Sequence, residues 1–198
     1  MSAPKVVFLE GIFVNLRPPD KQRDLELVTV WINRPQVWQY LKTSTPKTRE
    51  MEIEWFDGLA KHPDDIVLII ETKDGAAIGI IGLHRINWRH GFATTGAFIG
   101  EPSYWNRGYG TDAKMMLLEY AFNTLGLRKV LSSVIAFNAR SVAYSLKCGY
   151  RVIGRRRQQF FRRGRFYDEI LLEVFRRQWL LAWQRYRRRV SARRGTKK

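Results

Sequence analysis

Between an extended apolar run ending at Ile99 and a helix-like stretch from Thr111, the chain reads Glu101-Pro102-Ser103-Tyr104-Trp105-Asn106-Arg107-Gly108-Tyr109-Gly110-Thr111-Asp112-Ala113. Glycines at 108 and 110, at the start of a helix, let backbone N–H groups close around an anion, and a helix N-terminus favours negative charge. Arg107 adds a cation. The chemistry such a turn could serve is the holding of a phosphate or pyrophosphate. The spacing fits neither the P-loop, which needs Lys and then Ser or Thr after its last glycine, nor the six-residue dinucleotide fingerprint. A plain flexible turn is the other reading of the same residues.

A second run, Asn138 to Tyr150, follows the next predicted strand. Ser141, Tyr144, Ser145 and Cys148 recur at i, i+3, i+4 and i+7, so one helical face carries small polar groups, a phenol and a thiol. Such a face could line a cleft, or pack closely on a sheet with its small residues. Cys148 is the single cysteine, which excludes an intramolecular disulfide, and no His partner for it as a nucleophile is visible. His62, His84 and His90 are too scattered for a zinc pattern, so no metal is expected.

The elements that must position these residues follow from periodicity. Short strands flank Gly11, and helices are predicted over 20–31 and 49–61. Strands over 66–71, 76–86 and 92–99 form an antiparallel meander. A helix over 111–125 ends at Gly126, a strand runs over 129–137, and a short helix over 139–148 starts from Asn138 as N-cap. A hairpin over 151–161 and 166–175 and an Arg-rich helix from about Gln178 complete the chain. This order predicts an α+β fold, with a mixed, mostly antiparallel central sheet flanked by helices and one βαβ crossover.

The 198 residues, 45% of them hydrophobic, suffice for one core rather than two. The formal net charge of +17 first suggests a nucleic-acid or ribosome partner. Its distribution localises that idea: residues 1–150 hold 18 basic and 15 acidic side chains, a net +3, whereas residues 151–198 hold 17 and 3, a net +14. No signal peptide or membrane span is read in the chain, so a cytoplasmic protein without membrane contact is expected.

The loop Trp105 to Ala113, the Asn138 to Tyr150 segment, the opening Gly11 to Trp31 and the hairpin residues Gly164 to Ile170 together resemble the GNAT superfamily of acetyl-CoA-dependent N-acetyltransferases. Within it the chain is most similar to the ribosomal-protein N-terminal acetyltransferase branch (RimJ/RimL type), then to polyamine acetyltransferases. The resemblance implies a single domain over 1–183 with a splayed central strand pair, and a basic, flexible extension over 184–198. It implies acetyl-CoA as cosubstrate, its pantetheine arm paired with the backbone of Phe98, Ile99 and Gly100. Its pyrophosphate would lie on Arg107, Gly108, Tyr109, Gly110 and Thr111, with Asn138 and Ser141 reaching the cofactor. The acceptor would be a primary amine, first a protein N-terminal α-amine and second a small amine such as a polyamine or aminoglycoside. RNA or ribosome contact through the basic C-terminal region, and a homodimer, are further partners to test. A noncatalytic GNAT-like RNA- or ribosome-binding module is the competing reading.

The implied chemistry is attack of a neutral amine on the thioester, with a backbone N–H near Ile99 at the oxyanion. An α-amine, with a pKa near ~8 against ~10.4 for a lysine amine, needs less help to lose its proton. The family's tyrosine acid falls at Ser145, with the phenol one residue earlier at Tyr144, and the ribosomal branch's serine acid falls at Ser141. That branch's glutamate base falls at Phe160, so Glu101 is the substitute to test, with His84 after it. Acceptor-lining candidates are Trp31, Trp38, Tyr40, Trp55 and Trp88, and the acidic run Glu50, Glu52, Glu54 and Asp57 could draw in a cationic amine.

Overall fold

The computed structural model describes residues 6–195. An eight-stranded sheet runs in the order β1-β2-β3-β4-β5-β6-β8-β7. Its first part is β1 (Leu9–Glu10), β2 (Val14–Arg17), β3 (Ile66–Thr72), β4 (Ala77–Asn87) and β5 (Phe92–Ile99), all antiparallel neighbours. β6 (Lys129–Ile135), β7 (Arg151–Arg162) and β8 (Arg165–Phe175) form the second part, again antiparallel. The single parallel contact, β5 with β6, joins the two parts and is crossed by α4 (Tyr109–Glu119). The predicted mixed sheet with one crossover is therefore the observed one.

That parallel contact is short. β5 and β6 pair over Phe92 to Thr94 against Lys129 to Leu131 and no further. Beyond Thr94, β5 stays with β4 as far as Ile99 opposite Gly79, while β6 stays with β8 as far as Ile135 opposite Glu169. The sheet thus splits into a V, with β5 presenting one free edge and β6 the other.

The helices α1 (Lys21–Asn33), α2 (Pro35–Trp38) and α3 (Arg49–Gly58) follow β2. Asp20 caps α1 by accepting from the backbone N–H groups of Gln22 and Arg23, as its type and place before the apolar period predict. α1 and α3 bury Leu25, Val28, Trp31 and Phe56 with Ile69 and Ile80 of the sheet. The main core lies around α4, where Ala113, Met115, Leu117 and Leu118 meet Val14, Ile78, Leu83 and Val130. α4 ends in a π-turn over Tyr120–Thr124, so the helix expected over 111–125 is longer at its start and looser at its end.

α6 (Arg176–Gly195) starts directly after β8, two residues before the predicted place, and packs Trp179, Ala182 and Val190 inward. The extension expected from residue 184 begins as the continuation of this helix, and residues 196–198 lie outside the described residues. Asp112 ties three elements together: one carboxylate oxygen accepts from the N–H groups of Phe13 and Val14 at 2.6 and 2.9 Å, the other from the Tyr186 hydroxyl at 2.5 Å.

Candidate active site

The opening between β5 and β6 is a cavity of about 610 Å³. Its walls are Thr94 to Ile99 of β5, Ser132 to Ile135 of β6 and the α5 face Ser141, Ala143, Tyr144 and Lys147, α5 spanning Ala139–Lys147. The glycine turn closes one end with Gly108, Tyr109, Gly110 and Thr111, and Val37 and Tyr40 to Lys42 close the other side. The two sequence motifs therefore meet at the mouth of the split.

Gly108 has φ of 93°, a left-handed conformation that glycine adopts without the steric penalty of a Cβ, and it turns the chain directly into α4. The first-turn N–H groups of a helix lack intrahelical acceptors, so those of Tyr109, Gly110 and Thr111 are available to an anion at the cavity end. Arg107 is exposed and outside the cavity lining. A second cation stands closer: the Arg140 guanidinium lies 4.0 Å over the Trp105 ring and 5.3 Å over that of Tyr40, all three lining the mouth. Sequence reasoning missed Arg140, although its place two residues after Asn138 was the available signal.

On β5, Phe98 and Ile99 line the cavity but Gly100 does not. Gly100 N–H donates to Ile78 O at 2.8 Å, and Gly100 O accepts from Arg34 at 2.9 Å. Its lack of a side chain serves packing: a Cβ there would lie 2.1 Å from Trp31 Cγ. Asn138 lines the cavity while its side chain caps α5 by accepting from Ser141 N–H at 3.1 Å. Ser141 and Tyr144 face the cavity, whereas Ser145 is buried outside its lining. The Tyr144 hydroxyl is buried without a hydrogen-bond partner. Cys148 is fully buried, and burial pushes its thiol up to about 12, which leaves it protonated and unsuited to nucleophilic attack.

Glu101 is not brought to the cavity. Its carboxylate accepts from Trp31 Nε1 at 2.8 Å and from Arg34 Nη1 at 2.9 Å. Partial burial raises its pKa, but these hydrogen bonds and the Arg34 charge outweigh that and hold it below the usual glutamate range. A carboxylate so held is a weak proton acceptor. His84 is half-exposed, bonded through Nδ1 to Asp65 at 3.1 Å, and also outside the lining. Of the five aromatic candidates only Tyr40 lines the cavity; Trp31 is core, Trp55 packs on Phe56 and Trp88 is exposed with its N–H on Asp64. In the acidic run, Glu52 is buried and Asp57 is paired with Lys21.

A buried amine unforeseen from sequence stands on the cavity wall. Lys114 Nζ donates to Thr95 Oγ1 at 2.5 Å and lies 5.6 Å from the ring centres of both Tyr144 and Tyr150. Desolvation lowers its pKa from the usual 10.5 to about 8, against a smaller opposing effect from Cys148.

Lys42 on the cavity wall leads to a basic patch outside the lining. Lys42 Nζ bonds Ser133 Oγ at 2.5 Å and Glu169 at 2.8 Å, and Arg156 takes the other Glu169 oxygen at 2.9 Å. Arg162 from the β7–β8 hairpin donates to the Leu41 carbonyl at 3.0 Å, and Arg163 to Gln39 at 2.9 Å, so the hairpin is strapped to the segment after α2.

A split sheet with a free helix N-terminus at its mouth offers N–H groups to an anion and leaves a strand edge open beside the cavity. Residues 14–151 match the model of the acetyltransferase (GNAT) domain, and the chain belongs to this family. It is an acetyl-CoA-dependent N-acetyltransferase. Spermidine N(1)-acetyltransferase of Escherichia coli K12 is 29% identical over 170 residues, covering 84% of this chain and 88% of its own length. Among solved structures, spermidine N-acetyltransferase from Vibrio cholerae in complex with CoA and spermine has a TM-score of 0.79 at 22% identity, over 84% of this chain and 98% of that one. A GCN5-related N-acetyltransferase from Brucella melitensis has a TM-score of 0.76 at 25% identity, over 93% of this chain and 85% of the other. Among the described residues no group of side chains could hold a metal ion, and no helix is long and apolar enough to cross a membrane.

Proposed function

We propose that the chain transfers the acetyl group of acetyl-CoA to a primary amine of a small polyamine. The donor half rests on the split itself: beyond Thr94, β5 has no strand partner on its β6 side, an edge that suits the amide groups of a pantetheine arm, with the Ile99 carbonyl on that edge already taken by Trp105 Nε1 at 2.8 Å. The turn amides of Gly108 to Thr111, with Arg140 over Trp105 among the same lining residues, suit its pyrophosphate, whereas Arg107 lies outside the lining. A backbone N–H near Ile99 serves the oxyanion, and Ser141 lines the same cavity. Asn138 acts through its cap, which fixes the start of α5, and Gly100 acts by letting Trp31 seat the end of β5. The acceptor half is supported by the spermidine acetyltransferases among the relatives.

One observation favours a second acceptor. Lys42 and Arg140 line the cavity with no carboxylate among its lining residues, and Arg156, Arg162 and Arg163 lie beyond it on Glu169, Leu41 and Gln39, a field that repels a polycation and attracts an amine carried next to acidic groups. A protein N-terminus followed by acidic residues fits that field, and its α-amine deprotonates more readily. Calorimetry with acetyl-CoA, followed by transfer assays on spermidine, spermine, an aminoglycoside and peptides with acidic or basic second to fourth residues, separates the two. Turnover of spermidine with silent peptides supports the first; turnover of acidic peptides alone overturns it for the second.

We further infer a single catalytic domain acting in the cytoplasm, with two accessory contacts. Exposed Arg151, Arg155 and Arg157 on β7 and the basic residues of α6 suit RNA or a ribosomal surface. Loss of RNA association with added salt supports this, and no association at low salt removes it. β7 is also the free edge of the sheet, with Val152 and Ile153 about half exposed, a surface that a second copy could cover, which light scattering tests.

A further inference from the structure

We propose that Lys114 is the proton donor to the departing sulfur of the acetyl donor. This rests on the reading of the chain as an N-acetyltransferase given above. Lys114 is 1% exposed, yet it forms part of the cavity wall where β5 and β6 part. Its ammonium has one hydrogen-bond partner, Thr95 Oγ1, and no carboxylate pairs with it among the described residues. Burying an unpaired ammonium costs several kcal/mol, a cost that leucine or methionine at this core position would avoid. Packing therefore does not account for a lysine here. The Tyr144 hydroxyl, also on that wall, is an unsatisfied polar group facing the same space.

The groups facing Nζ are Thr95 from β5, Tyr144 within α5, Cys148 just after it, and Tyr150 ahead of β7. Burial acts on them in opposite senses. It pushes Cys148 up to about 12 and raises Tyr144 and Tyr150, so these three become poorer acids. The same burial brings Lys114 down to about 8, close to an ordinary thiol at roughly 8.5. A proton passes from Lys114 to a thiolate with almost no uphill step, whereas passage from the Tyr144 phenol is strongly uphill. Ser145 stands where the family resemblance would place a tyrosine acid, and it lies outside the cavity lining.

The step balances as follows. The neutral acceptor nitrogen attacks the thioester carbonyl carbon, the C–N bond forms, and the C–S bond breaks with its electron pair passing to sulfur. The sulfur takes a proton from Lys114 Nζ, giving free CoA thiol and a neutral lysine. The new amide nitrogen gives its surplus proton to water, and Lys114 regains one from water before the next turnover.

The first test needs no substitution. In the complex with CoA alone, thiolate absorbance followed over pH 6 to 10 is expected to show the bound thiol titrating about tenfold more readily than free CoA; titration at or above the free value overturns the proposal. In Lys114→Met that advantage is lost. With acetyl-CoA and spermidine, or the acidic peptide if the panel selects it, kcat of the variant falls about ten- to a hundredfold, while the KM for acetyl-CoA stays within threefold. The fall of kcat above about pH 8 disappears in Lys114→Met and persists in Tyr144→Phe. A variant with an unchanged thiol titration and kcat within twofold overturns the assignment, as does an acetyl group found on Lys114 by mass spectrometry, which would make it an acceptor. If the unsubstituted protein acetylates no amine of the panel, the parent reading falls and this one with it; transfer accompanied by an unshifted thiol overturns this one alone.

Discussion

The carboxylate of Glu101 accepts the indole N–H of Trp31 at 2.8 Å and a guanidinium N–H of Arg34 at 2.9 Å, joining the end of α1 to the chain just past β5. That pairing makes Glu101 a clamp between α1 and the end of β5, outside the cavity lining, and removes the motive for using it as a base. Glu101→Gln retains an acceptor for Trp31 but loses the charge on Arg34. The ascending limb of the kcat/KM profile is expected to stay in place, whereas loss of a general base would abolish that limb and cost about 10²–10⁴ in rate.

Gly100 tests the same junction sterically. A Cβ at this position meets the Trp31 ring at 2.1 to 2.6 Å, and Trp31 is fully buried with nowhere to yield. Gly100→Ala is expected to destabilise the fold by about 1–3 kcal/mol, as overpacking does. Urea unfolding measures it, and a change under ~0.5 kcal/mol would show that α1 can slide.

Periodicity in the sequence was enough for the meander, the crossover and the final hairpin, because strand and helix periods differ and Gly126 and Gly149 punctuate them. The glycine turn before α4 and the α5 face were legible as local structure for the same reason: each is carried by residues within ten positions of one another. What escaped was non-local. Glu101 reads as a free carboxylate until Trp31 and Arg34 close on it, and Lys114 reads as one polar residue in an amphipathic helix until Thr95, Tyr144 and Tyr150 bury it. Arg140 likewise gains meaning only when Trp105 and Tyr40 come beneath it.

Asp112 holds the start of β2 and the middle of α6 onto α4 through three accepted hydrogen bonds. In Asp112→Asn one oxygen becomes an NH₂ that cannot accept: facing β2 it leaves the two backbone N–H groups without an acceptor, and facing α6 it reverses the bond, so that the Tyr186 hydroxyl must accept. A loss of about 1–3 kcal/mol per unsatisfied buried group is expected in urea unfolding. Tyr186→Phe, which removes only the donor, should cost less than Asp112→Asn.

Trp105 is bound twice at the mouth: its Nε1 donates to Ile99 O at 2.8 Å and its ring carries Arg140 at 4.0 Å. Trp105→Phe keeps a ring for the guanidinium but frees the Ile99 carbonyl, whereas Arg140→Ala keeps the carbonyl bond and removes the cation. If Arg140 serves the phosphates of acetyl-CoA, Arg140→Ala raises the acetyl-CoA dissociation constant about three- to tenfold in calorimetry, an effect that salt should blunt in the unsubstituted protein. Equal affinities at low salt would place Arg140 in a structural role alone.

Lys114 makes a stability prediction independent of catalysis. Its pKa is about 8 in the folded chain and near 10.5 once exposed, so between those values the unfolded chain holds a proton that the folded chain has lost. Stability attributable to this residue therefore rises with pH from about 8 to 10.5, by up to roughly 1.4 kcal/mol per unit, and below pH 8 the buried ammonium is a standing cost of the order of a few kcal/mol. Lys114→Met removes both the cost and the slope. The variant is expected to be more stable than the parent at pH 7, with the difference shrinking as pH approaches 9.5. Denaturant midpoints of the two proteins across pH 6.5 to 9.5 give the comparison, in which the raised Tyr144, Tyr150 and Cys148 largely cancel because both proteins carry them. A parent that is the more stable of the two at pH 7, by a margin independent of pH, would show that Lys114 is accommodated without desolvation.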